Sequence, residues 1–177
     1  GRGAPRSGSY ATVSDDDLWS IRREEQNRAA DLGHYLAQIH LDYPSATVKS
    51  GSRKTVLSDI QQIIITTQPD VIYTHNLADK HDTHIAIALA VIEAARQLER
   101  RQTHFKLYGC EVWRGLDWLP DAEKVHLDVS DRPDLQLALL KTFDSQIGGG
   151  KSYDLAAMGR RLANATFLES HQTDAAR

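Results

Sequence analysis

Apolar positions along the chain recur at two spacings. Leu18, Ile21, Ala29 and Leu32 follow a helical period, with Ser14 placed to cap and Asp17 three residues on. This predicts a helix from Asp15 to about Leu32, stopped at Gly33, with a thin apolar stripe. Tyr35 to Leu41 fits either a continuation or a strand, and the DYPS turn that follows favours a strand. Val56, Leu57, Ile60, Ile63 and Ile64 again fall at helical spacing, predicting a helix over Ser52 to Thr67 that Pro69 ends. Val71 to Thr74 is β-rich and reads as a buried parallel strand. Further along, the pattern predicts a helix from Asp82 to Arg101 and strands at Phe105 to Val112 and Val125 to Val129. Helices follow at Leu135 to Phe143 and over 154–168. Strands alternating with helices predict a layered α/β domain with a mostly parallel sheet.

Composition sets bounds on that picture. The 177 residues are 41% hydrophobic and 25% charged, with a net charge of −3. Disorder and a disulfide scaffold are excluded, and no basic excess points to nucleic acid. The single cysteine, Cys110, cannot form an internal disulfide and suits a reducing, cytoplasmic setting. It is expected to be a small core residue near a strand end. No apolar run reaches the roughly 18 residues of a membrane span. The first residues, GRGAPRSGSY, read as a loop with neither Met nor an apolar leader, so Gly1 is not the expected native start.

The chemistry concentrates in PDVIYTHNLADKHDTH. After the strand come His75, Asn76, Asp79, His81, Asp82 and His84 within ten residues. Ligands of open α/β sheets bind beyond the carboxyl ends of strands, so a site is expected here. His81 and His84 are three apart in a first helical turn and face the same way. A neutral imidazole is a common zinc ligand, and a second can act as an acid or an electrostatic stabiliser. A plainer account is that polar residues crowd any strand-to-helix loop and that Asp82 or Thr83 caps the helix.

Elsewhere, SIRREEQNRAADLG carries i,i+4 pairs and reads first as a solvated helix face. Its arginines could also reach an anionic or polyhydroxy substrate. Trp113, Arg114 and Trp118 in EVWRGLDWLPD could stack on a sugar or close a core edge. IGGGKS has Ser145 where a phosphate loop needs glycine, and it reads as a mobile loop instead.

Four blocks together resemble the LmbE/PIG-L family of zinc-dependent N-deacetylases: SIRREEQNRAADLG, PDVIYTHNLADKHDTHIA, LYGCEVWRGLDWL and YDLAAMGRRLANATF. The resemblance implies a Rossmann-like three-layer fold, a single domain over 1–177, and hydrolysis of an acetamide, often on N-acetylglucosamine. By that resemblance His84 is a zinc ligand and His81 the acid or electrostatic partner of the tetrahedral intermediate. Arg22, spaced with Glu25 as the family's R-x-x-E, approaches the substrate; Arg114, from its aromatic loop, is a further substrate-binding candidate, and Asp79 and Asp82 are candidates to stand behind the site. The expected partner is a small acetamido sugar or its conjugate, with no nucleic acid, and trimers or hexamers are common in the family.

Two departures accompany the resemblance. The aspartate that the family places between the two histidines corresponds to Thr83, leaving Asp82 or Asp79 to replace it. The family's A-H-P-D-D-E block, which brings the other zinc ligands and the general base, is not among these residues. The expectation is therefore a chain that begins after the first two strands, with its remaining zinc ligands on the preceding segment and no activity by itself. Two rival readings stand beside it. One is a degenerate, non-catalytic member that binds a sugar or a protein. The other is a different metallohydrolase that uses His75, His81 and His84 together.

Overall fold

The computed structural model describes residues 6–99, 104–111, 113–148 and 152–168. The chain divides into two compact units, His40–Glu111 and the remainder.

The unit His40–Glu111 is built on a β–α–β run. Helix α3 (Lys54–Thr67) leads into strand β1 (Val71–His75), helix α4 (Asp82–Glu99) and strand β2 (Lys106–Cys110). A short helix, α2 (Ser45–Lys49), precedes them and starts on the last residue of DYPS. Pro69 cannot continue α3, and Gln68 closes it in the left-handed region at φ 45°. The β-branched and aromatic residues after Pro69 then take up the extended form. β1 and β2 pair in parallel from Val71 opposite Lys106 to His75 opposite Cys110. The expected parallel α/β arrangement is thus present as a two-stranded sheet among the described residues.

The core of this unit lies between helices. Ile64, Ala94 and Leu98 are buried together, with Leu57, Ile60, Ile72 and Phe105 packed around them. Ala86, Ala90 and Ala94 line one buried side of α4, and Ala88 and Ala95 are buried on another. β1 itself is less buried than its composition predicts. Tyr73 is 55% exposed, and it stacks on its register partner Tyr108 at 5.6 Å.

The other unit holds α1 (Asp15–Leu32), α5 (Pro133–Lys141), α6 (Asp144–Gln146) and α7 (Tyr153–Asn164). α1 begins and ends as the sequence predicts: the Ser14 side chain accepts from the Asp17 N–H, and Gly33 is the C-cap. The left-handed turn falls one residue later, on His34 at φ 52°. Pro133 opens α5, where its missing N–H costs nothing.

Three expectations are corrected here. Residues 35–41 form no strand, and Tyr35, Leu36, Ile39 and Leu41 are exposed with no ladder to join. Val125 to Val129 is likewise irregular, with Val125, Leu127 and Val129 exposed. A strand needs a neighbour for its N–H and C=O groups, and neither segment has one among the described residues. Cys110 is exposed at the end of β2 rather than buried in the core. Desolvation pushes its thiol up, which keeps it a poor nucleophile. Arg101, Val112 and most of the triple glycine lie outside the described residues. Among the described residues, no helix is long and apolar enough to cross a membrane.

Candidate metal centre

His75 closes β1, and the chain turns immediately after it. The Asn76 side chain makes the turn: its amide donates to the Gly109 carbonyl at 3.1 Å, and its oxygen accepts from the Ala78 N–H at 2.9 Å. A side chain at position 109 would crowd that amide, since a Cβ there would stand 3.2 Å from Asn76 Nδ2. The loop then delivers Asp79 inward, with its side chain only 6% exposed.

Asp79 ties the loop to α4. Its Oδ1 accepts from the His81 N–H at 2.8 Å, and its Oδ2 lies 3.0 Å from Nδ1 of His84. Burial pushes the Asp79 carboxyl up. The bonds from His84 and the His81 N–H, with the nearby imidazoles, more than offset this and hold it below the usual carboxylate range. Asp79 is therefore the carboxylate that supports a histidine, and it supports His84. Asp82, exposed as the first residue of α4, makes the helix start acidic. The Thr83 N–H donates to His81 Nδ1 at 3.2 Å.

The three imidazoles gather face to face. His75 and His84 stack with centroids 4.0 Å apart and planes 3° from parallel. His81 stacks on His84 at 4.7 Å and 25°. Burial, then the nearness of His84 and His81, pulls His75 below the usual imidazole range, with Asp79 acting the other way. The sequence places His75 at the strand end, but only its ring contact with His84 draws it into the cluster.

Potential ligand atoms of His75, Asp79 and His84 all lie within 4.8 Å of one another. The donor set of two imidazoles and a carboxylate suits zinc. An imidazole, however, holds a metal in its own ring plane, and parallel planes share no point. In this conformation His75 and His84 cannot both hold one ion. Asp79 occupies Nδ1 of His84 and leaves its Nε2 open, the pairing by which a carboxylate commonly supports a metal-binding histidine.

A family model described as PIG-L, GlcNAc-PI de-N-acetylase, matches residues 1–95, more than half of the 177. The chain belongs to the PIG-L family. This is a family of deacetylases, hydrolases that are typically metal-dependent. No curated protein matches the chain. The PIG-L match takes in α1, α2, α3, β1 and most of α4, and with them Arg22, Glu25, Asp79, His81, Asp82 and His84. Arg114 lies beyond it.

The remaining expected residues belong to α1 and to the loop after β2. Arg22 has a buried Nε that meets no hydrogen-bond partner among the described residues. Arg114 is exposed, beside Gly115 at φ 58°. Trp113 packs against Tyr153 at 5.2 Å, and Trp118 is exposed. Glu25 departs from the solvated helix face expected of its block. It is wholly buried, and its carboxylate accepts from both the N–H and the Oγ–H of Ser145. Nothing in the local pattern marks Ser145 as its partner.

Proposed function

We propose that this PIG-L chain belongs to a zinc-dependent N-deacetylase that removes an acetyl group from an N-acetylglucosamine-type substrate. The observation that carries the reading is the Asp79–His84 bond beside His81, within the family-matched stretch. His84 offers Nε2 to the metal, and Asp79 fixes the ring. Zinc, when bound, supplies a water of lowered pKa and a Lewis acid for the carbonyl. His81, exposed at the helix start, donates to the carbonyl oxygen as negative charge develops there. The departing amine takes up the proton that the general base has drawn from the water.

The general base and further zinc ligands are the business of the family's A-H-P-D-D-E block. The roles of Arg22 and Arg114 as sugar-binding cations rest on the family resemblance, as do the Rossmann-like layering and the single-domain organisation. A cytoplasmic setting fits the lone exposed thiol.

Zinc content and acetate release, measured on the intact protein and its His84→Ala variant, test the reading. One zinc per chain and acetate release from N-acetylglucosamine conjugates are expected, both lost in the variant. Full zinc retention by His84→Ala, or a zinc-loaded protein that releases no acetate, overturns it.

A further inference from the structure

Two histidines three residues apart meet opposite kinds of partner. His84 Nδ1 faces the Asp79 carboxylate at 3.0 Å. A carboxylate has no proton to give, so Nδ1 of His84 carries the hydrogen. His81 Nδ1 faces the Thr83 backbone N–H at 3.2 Å. An N–H cannot accept, so Nδ1 of His81 carries the lone pair. In a neutral imidazole the second nitrogen takes the complementary role.

We propose that residues 79–84 hold His84 and His81 in opposite neutral tautomers, with Asp79 the positioning residue for the first and the Thr83 amide for the second. His84 then presents a bare Nε2, and His81 presents an Nε2–H. The purpose of the pair rests on the deacetylase reading: a lone pair suits a metal, and an N–H suits a developing oxyanion. The missing family aspartate also gains an explanation. Position 83 acts through its backbone, which any residue but proline supplies. The stacked rings on His84 strengthen the arrangement, because rotation about its Cβ–Cγ bond would sweep the ring through its neighbours.

Asp79→Asn is the sharp probe. The amide keeps the shape of the carboxylate but offers one acceptor and one donor. If its oxygen stays on the His81 N–H, its NH2 group faces His84 Nδ1 and donates to it. The His84 proton then moves to Nε2 and blocks the coordinating nitrogen. Asp79→Ala removes the acceptor without adding a donor.

Nitrogen-15 NMR of the metal-free protein, at a pH about two units above the usual imidazole pKa of ~6.5, reads the tautomers directly. The expected wild-type pattern is Nδ1–H for His84 and Nε2–H for His81. In Asp79→Asn, His84 reverses and His81 does not; in Asp79→Ala, His84 becomes mixed. In the intact protein Asp79→Asn should weaken zinc binding roughly 10- to 100-fold. The same tautomer at both wild-type histidines, or a His84 signal that neither variant changes, overturns the proposal. Opposite tautomers at the two wild-type histidines in a protein that never releases acetate would sink the deacetylase reading and leave the tautomer pair standing.

Discussion

Glu25 on α1 and Ser145 on α6 are joined by two hydrogen bonds across 120 residues of sequence, at 2.6 Å from the Ser145 N–H and 2.7 Å from its Oγ–H. The carboxylate has no exposed surface. A buried carboxylate without donors is costly, and these two donors are what make its burial tolerable.

Ser145→Ala should therefore destabilise the chain by about 1.5–3 kcal/mol, the usual worth of a hydrogen bond to a charged group. Urea unfolding checks this. Ser20→Ala, on the exposed side of α1, should stay within about 0.5 kcal/mol of wild type. Equal effects at both positions would mean that the Glu25 contact contributes nothing.

The helical core offers a second measurement. Leu98 is almost fully buried against Ile64 and Ala94. Leu98→Ala should cost roughly 2–5 kcal/mol through lost burial and a residual cavity. Ala94→Leu should cost about 1–3 kcal/mol for the opposite reason, since that fully buried alanine would have to admit three more carbons. The two midpoints in denaturant give both numbers.

In the intact protein, His81→Gln and His84→Ala should fail differently. His81→Gln is expected to lower kcat by roughly 100- to 1,000-fold while zinc content and KM stay near wild type. His84→Ala is expected to lose zinc itself. Metal analysis beside steady-state kinetics separates them, and zinc loss in both would contradict the division of roles.

Tyr10 gives a pH dependence of known sign. Its phenol donates to Asp144, and that bond, with burial and the charges of Asp144 and Glu25, pushes its pKa up to about 12. The folded state thus prefers the neutral phenol. The stability it contributes is fully present below the unfolded value of 10.0 and is lost as pH rises through about 12. Absorbance titration should show a late-ionising phenol in the wild type that Tyr10→Phe removes. An unchanged alkaline curve would refute the assignment.

The sequence announces what short-range chemistry decides. Ser14, Asp17 and Gly33 bracket α1 because caps act within a turn. Pro69 followed by β-branched residues marks β1 for a similar reason. Val125 to Val129 has strand composition too, but composition does not supply a neighbour to pair with. His81 and His84 are legible from their spacing, and Asp79 only as one of two carboxylates nearby. The choice between Asp79 and Asp82 depends on the loop's path after Asn76, which local pattern does not fix. Glu25 is the extreme case, since its burial depends on a serine in a segment that reads as loop.

The PIG-L match ends at residue 95, inside α4. β2, which pairs with every residue of β1, begins at Lys106, and Ser145 lies farther on. A chain cut at the match's edge would leave β1 with no ladder and the Glu25 carboxylate with no donor. The stretch that identifies the chain therefore leaves out partners that two of its own elements use among the described residues. A deletion series should take its borders from the hydrogen bonds, not from the signature.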